Sequence, residues 1–174
     1  MGYLACLALG SNIRPEFYLP AATAELGRCG RLVGVSRVWQ TSPVDGSGRP
    51  DFLNAAVLLE TDLSAATLCC EVTRPIEAAL GRVRDPGDSH APRTIDIDLA
   101  LFDDDELVIE HRRDPDPQLL QRAFLAVPVA ELRPGYLWPG TGRSLSQVAA
   151  DLARRCPLHP RPDVRLDRPP TETC

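Results

Sequence analysis

The segment Pro92-Arg93-Thr94-Ile95-Asp96-Ile97-Asp98-Leu99-Ala100-Leu101-Phe102 constrains this chain most. From Thr94 polar and apolar residues alternate, then run apolar to Phe102, over a strand's length and in β-branched and large aliphatic types. The spacing predicts a buried strand. Its side chains alternate faces, so Ile95, Ile97 and Leu99 point one way and Asp96 and Asp98 the other, as neighbours about 7 Å apart. Two carboxylates on one face repel each other and resist leaving water, so a cation must compensate them. A hard divalent ion would do so: Mg²⁺ accepts carboxylate oxygens, keeps several waters and completes its shell with phosphate. Two such ions about 4 Å apart form a common clamp for displacement at phosphorus. Arg93, with Arg82 and Arg84 upstream, adds planar forks suited to phosphate oxygens. On spacing alone, an edge strand with a merely solvated Asp-x-Asp face weighs about equally.

All 19 basic residues are arginine. Without lysine there is no Schiff base, no Walker lysine and no lysine base, so phosphate binding must rest on arginine, backbone amides and metal. A net charge of -5 argues against nucleic-acid and anionic-membrane partners. The 174 residues suit one domain with a real core. Cys6, Cys29, Cys69, Cys70, Cys156 and Cys174 lack Cys-x-x-Cys spacing and are expected as buried free thiols. The start, Met1 to Cys6, runs directly into a strand pattern with no basic n-region, and no run approaches the roughly eighteen apolar residues of a membrane span. A cytoplasmic protein is expected.

Along the chain, Tyr3 to Leu9 forms an apolar strand closed by Gly10-Ser11-Asn12, a turn more than a ligand cradle. Phe17 to Cys29 has helical spacing, and Leu32 to Trp39 that of a second strand. A Gly-, Ser- and Pro-rich connection from Thr41 to Asp51 is a candidate lid, leading into the strand Phe52 to Glu60. Asn54, inside that strand, requires hydrogen-bond partners from nearby backbone or from a polar ligand. Asp62, or alternatively Ser64, caps a helix that ends at Gly81, with a kink or bulge expected at Pro75. Glu77 lies near that helix's C-terminus, where an acid opposes the dipole unless an arginine or a ligand engages it. The acidic turn Asp103 to Glu106 and the strand Leu107 to Ile109 suggest a hairpin with the Asp strand. Asp116-Pro117 opens a helix that Pro128 interrupts, and Ser144 caps a last helix through Arg155. One domain over residues 1–156 is expected, followed by a Pro-rich, poorly ordered tail over 157–174. Hairpins beside helical crossovers favour an α+β sheet with helices on its faces.

The runs Leu9-Gly10-Ser11-Asn12, Thr41-Ser42-Pro43-Val44, Pro50 to Ala56, Ile76-Glu77, Gly81-Arg82-Val83-Arg84, Pro92 to Asp98 and Arg122-Ala123-Phe124 follow one another in an order that resembles the 6-hydroxymethyl-7,8-dihydropterin pyrophosphokinase family. The resemblance covers Tyr3 to about Ser144. It implies a ferredoxin-like αβ plait with a mixed or antiparallel sheet. It also implies pyrophosphate transfer from ATP to the pterin's hydroxymethyl group in folate biosynthesis, with AMP leaving. Asp96 and Asp98 would hold two Mg²⁺ ions, and Arg82 and Arg93 would act on the transferring phosphates. Glu77, Arg84 and Arg122 would bind ATP, while Thr41, Ser42, Pro43, Val44, Phe52, Asn54 and Phe124 would hold the pterin. Small-molecule substrates are the expected partners, with a monomer expected and a homodimer as the alternative.

Two departures stand out. Ser89-His90-Ala91 replaces the family's usual Arg-Trp-Gly before Pro92-Arg93, and Asp116-Pro117 stands where many members carry an ATP-contacting His. They leave open a domain of the same fold that binds nucleotide or pterin with impaired transfer.

Overall fold

The computed structural model describes residues 2–42, 48, 50–84, 87–88, 91–103, 107–109 and 112–168. Strand β1, Tyr3–Ser11, is followed by helix α1, Pro15–Leu26, and by two strands, β2 (Arg31–Val35) and β3 (Trp39–Thr41). The expected single strand Leu32 to Trp39 is thus split. At the break Ser36 takes over the ladder: its N–H donates to the Ala56 carbonyl at 2.9 Å and its Oγ accepts from the Ala56 N–H at 2.8 Å.

Strand β4, Phe52–Thr61, leads to a short helix, α2, Ala65–Thr67, whose cap is Ser64 and not Asp62: the Ser64 hydroxyl accepts from the Thr67 N–H. A π turn, Leu68–Thr73, then precedes α3, Arg74–Ala79. This is the bulge expected at Pro75, since a missing N–H leaves an α-ladder carbonyl one turn back without its donor. Strand β5, Asp96–Phe102, is the Asp strand. The short strands β6, Leu107–Ile109, and β7, Arg112–Asp114, pair with each other in a separate two-stranded sheet, so the expected hairpin of residues 107–109 with the Asp strand does not form.

Asp116 caps a 3₁₀ turn, Pro117–Leu120, and helix α4, Ala123–Leu132, runs straight through Pro128. Helix α5, Leu145–Arg155, is capped by Ser144 as the sequence predicts, and the structure adds the Gln147 side chain to form a capping box. The expected poorly ordered tail is corrected for its described part, residues 157–168. His159–Pro160 forms strand β8 against β3, and Val164 and Leu166 are buried in the core. Two aliphatics spaced by two outweigh the proline-rich composition around them.

The main sheet has the order β5-β1-β4-β3-β8, with β2 also on β4, and every pairing is antiparallel. With helical crossovers after β1 and β4, this is the ferredoxin-like α+β arrangement. One face packs Leu7, Leu9, Ile95 and Ile97 against Leu19 and Leu26 of α1 and Ile76 of α3. The other packs Cys6, Ala8 and Ala56 against Ala126 and Val129 of α4 and Val148 of α5. A register shift in β1–β5 pairs Cys6 with Leu101 and Leu7 with Leu99, leaving Ala100 as an extra residue. Ala100 and Leu101 therefore both join the α4 side. That bulge is where the alternating sequence turns continuously apolar.

Among the described residues no helix is long and apolar enough to cross a membrane. None of Cys6, Cys29, Cys69, Cys70 and Cys156 is in a disulfide, but among these described residues only Cys6 is fully buried and Cys156 is exposed, while Cys174 lies outside the described residues.

Candidate active site

The register of four strands builds one row across the sheet. Asp96 lies opposite Gly10, Gly10 opposite Asn54, and Asn54 opposite Trp39. Period-2 alternation puts these on the face shared by Ala8 and Ala56, together with Asp98, Phe52 and Thr41. Gly10 keeps the middle of the row low: a Cβ there would meet the Asn54 Oδ1 at 3.4 Å.

Asp96 is held from two directions. Arg93 Nη1 donates to its Oδ2 at 2.6 Å, and Arg82 Nη2 approaches its Oδ1 at 3.3 Å. Arg82 Nη1 also donates to the Ile95 carbonyl at 2.8 Å. Burial works against the Arg82 charge, and the Asp96 carboxylate offsets this. The Arg93 guanidinium lies 5.7 Å from the centre of the Phe52 ring, so this aromatic joins the arginine cluster to the Asn54 end of the row.

Glu77, only 3% exposed, comes from α3 to the open edge of β5. Its Oε1 accepts the Ile97 N–H at 2.8 Å and its Oε2 accepts from Arg84 Nη2 at 2.5 Å. Burial, opposed by those donors and reinforced by the nearby Asp96 charge, pushes the Glu77 pKa upward. The carboxylate expected beside a nucleotide is thus engaged with a strand edge and an arginine.

At the far end of the row the Asn54 Nδ2 donates to Thr41 Oγ1 at 3.0 Å. Ser42 is exposed, and Pro43, Val44, Ser89 and His90 lie outside the described residues. Arg122 is the N-cap of α4 and Phe124 sits in its first turn. The Asp116 N–H donates to the Ala100 carbonyl of β5 ahead of this helix, and at its other end Glu131 Oε1 accepts from Trp39 Nε1 of β3. Arg122 and Phe124 therefore lie at the Asp-strand end of α4, though neither takes part in the network just described. Asp116, at the expected His position, accepts the Gln118 N–H as a cap.

Sequence reasoning undervalued Asn12. It is 5% exposed, accepts the Arg93 N–H on Oδ1 at 2.7 Å and donates from Nδ2 to the Pro50 carbonyl at 3.4 Å. Its own N–H donates to the Arg93 carbonyl at 3.1 Å. One side chain thereby links the approach to the Asp strand with the approach to β4. Its signal in the sequence is the Gly-Ser-Asn closing of β1, a pattern that turn formation alone also explains.

The donor set restricts what cation the row could take. Among the described residues no group of three or more His, Cys, Asp or Glu could hold a metal ion. Asp96 and Asp98 supply hard oxygen ligands and no cage, which fits an ion that draws its remaining ligands from water and phosphate, as Mg²⁺ does.

Comparison with known proteins identifies relatives. The family model for 7,8-dihydro-6-hydroxymethylpterin-pyrophosphokinase matches residues 6–134. The chain is 37% identical over 135 residues to the 2-amino-4-hydroxy-6-hydroxymethyldihydropteridine pyrophosphokinase of Bacillus subtilis, covering 76% of this chain and 79% of that one. The protein of the same name from Pseudomonas aeruginosa is 34% identical over 147 residues, covering 83% and 88%. Among solved structures, wild-type HPPK-DHPS of Plasmodium falciparum with pteroate superposes with a TM-score of 0.68 at 13% identity. That match covers 89% of this chain and only 45% of the Plasmodium chain, and it bears on the fold.

Proposed function

This chain belongs to the 7,8-dihydro-6-hydroxymethylpterin-pyrophosphokinase family, and from that premise we propose that the row from Asp96 through Gly10 to Asn54 is where its reaction takes place. It transfers pyrophosphate from ATP to hydroxymethyldihydropterin in folate biosynthesis. The observation that carries the assignment is Asp96 clasped by Arg82 and Arg93 in a row that continues through Gly10 to the buried Asn54, which donates to Thr41.

Transfer at phosphorus demands positioning and charge stabilisation more than covalent chemistry, which suits a site of carboxylate and arginine without lysine. Asp96 and Asp98 would hold two Mg²⁺ ions, whose contribution is to neutralise the triphosphate and align it. An ion bound by Asp96 would take the place of its arginine partners, and Arg82 and Arg93 would then be available to phosphate oxygens. Arg84, oriented by Glu77, and Arg122 at the head of α4 add charge for ATP. Arg93 is the pivot, because it reaches both Asp96 and the Phe52 ring. A pterin is a flat polar heterocycle: Phe52 and Phe124 offer faces to stack on. Asn54, Thr41 and the Ser42-Pro43-Val44 stretch offer polar and backbone groups for its edge. Its hydroxymethyl oxygen then attacks the β-phosphorus, the bond to the α-phosphate oxygen breaks, and AMP leaves.

The test is a product assay with ATP, Mg²⁺ and 6-hydroxymethyl-7,8-dihydropterin, resolving AMP from ADP. The native chain gives AMP only when the pterin is present. Asp98→Ala, with its fold verified by circular dichroism, loses about a thousandfold or more in rate. Near-native AMP formation by that variant refutes the role given to the carboxylates. Pterin binding without any AMP in the native chain favours the impaired-transfer reading.

A further inference from the structure

Residues 157–168 lie beyond the stretch matched by the family model, which ends at 134, and the catalytic account above makes no use of them. They are nonetheless built into the sheet beside the row. Pro160 pairs with Trp39 and His159 with Gln40. The Arg161 N–H donates to the Val38 carbonyl at 2.9 Å, and Val164 and Leu166 anchor the segment in the core.

Arg161 is the hub. Its Nη2 donates to Glu16 Oε1 on α1 at 3.2 Å and to Asp163 Oδ2 at 2.7 Å, and its Nη1 donates to Gln40 Oε1 at 3.1 Å. Gln40 passes the link on, donating from Nε2 to Asp51 Oδ2 at 2.7 Å. Gln40 immediately precedes Thr41 and Asp51 immediately precedes Phe52, so the two residues stand at the opposite ends of the connection between β3 and β4. Gln40 pairs with Leu53, whose side chain lies in the α1-side core, so this chain of bonds runs behind the sheet from the pterin face.

We infer that the C-terminal segment is a brace for the pterin site, with Arg161 and Gln40 as positioning residues that fix the spacing of Thr41 and Phe52 from the opposite face of the sheet. The inference rests on the reading that Thr41, Phe52 and Asn54 hold the pterin. A side chain that touches no substrate acts here by limiting the freedom of two that do, and an error of a fraction of an ångström at a stacking ring is enough to weaken binding. A charged hydrogen bond and the neutral one it orients are together expected to be worth about five- to tenfold in pterin affinity.

The experiment compares Arg161→Ala, Arg161→Lys, Gln40→Ala and the Arg161→Ala/Gln40→Ala double variant in the full chain, with Asn54→Ala as reference. KM for pterin, KM for ATP and Tm are measured for each. The brace predicts a pterin KM raised about five- to tenfold in Arg161→Ala and in Gln40→Ala, no further rise in the double variant, and an intermediate value for Arg161→Lys. ATP KM and Tm stay near native. If Asn54→Ala weakens pterin binding while Arg161→Ala and Gln40→Ala do not, the brace is refuted and the site stands. If Asn54→Ala is silent, the site reading fails and takes the brace with it. Equal changes in both KM values with a lowered Tm also refute it, since that marks support of the whole fold.

Discussion

Glu77 is a buried carboxylate whose charged form burial disfavours. Burial raises its pKa in the folded state above the ordinary carboxylate value, while the unfolded chain keeps that ordinary value. The linkage sign follows. The stability contributed by this group is fully present below the unfolded pKa and is lost as pH rises through the raised folded one. Glu77→Gln keeps an acceptor for the Ile97 N–H and removes the titration, so its Tm relative to the native chain should improve as pH rises above about 4 and level off once the raised folded pKa is passed. Parallel Tm curves for the two proteins would contradict the assignment. The sequence offers an arginine as one of two partners for this acid, and Arg84 is that partner, but the burial and the Ile97 N–H are not legible there. An acid at the wrong end of a helix calls for a partner, and Arg84 from the connection after α3 is near in sequence, whereas Ile97 comes from a distant strand. By contrast Asp96 and Asp98 were legible, because a period of two places residues on one face whatever the rest of the chain does.

At the scale of elements, two glycines separate packing from function. At Gly30 an added Cβ would lie 2.4 Å from the Glu60 carbonyl oxygen, a backbone atom that cannot step aside. Gly30→Ala should therefore lower stability by about 1–3 kcal/mol in a denaturant titration while leaving both substrate KM values unchanged. At Gly10 a Cβ meets only the end of the Asn54 side chain, at ordinary contact distance. Gly10→Val should keep the native Tm and raise the pterin KM by about tenfold or more, because its methyl groups fill the middle of the row. A stability loss at Gly10 with unchanged kinetics would remove that position from the site. The elements themselves were read with uneven success, for physical reasons. The cap at Ser144 and the bulge at Pro75 are local, and local chemistry is written in the sequence. The split between β2 and β3 depends on Ser36 bonding to Ala56, and β8 depends on Val164 and Leu166 reaching the core. Both are long-range outcomes that composition conceals, and in the tail a run of prolines obscured two well-placed aliphatics.

For the whole molecule, the sheet divides its labour between faces. The α1 side is a continuous aliphatic core into which the C-terminal segment also packs. The α4 side packs Cys6, Ala8 and Ala56 beneath the helices, and the next row on the same face carries Asp96, Gly10 and Asn54. In the proposed site a chain of net charge -5 binds a triphosphate through three arginines, Arg82 and Arg93 paired with Asp96 and Arg84 paired with Glu77. Their neighbours Glu77 and Asp96 hold them in place before any phosphate arrives. The central claim is that Asp96 and Asp98 carry the divalent ions of the reaction. The most direct measurement is a Mn²⁺ titration read by electron paramagnetic resonance, at saturating α,β-methylene-ATP and pterin, on the native chain and on Asp98→Ala. The account predicts two ions per native chain, as in other paired-metal phosphoryl clamps, and fewer than two for the folded variant. An equal count and equal affinity in both proteins would contradict it.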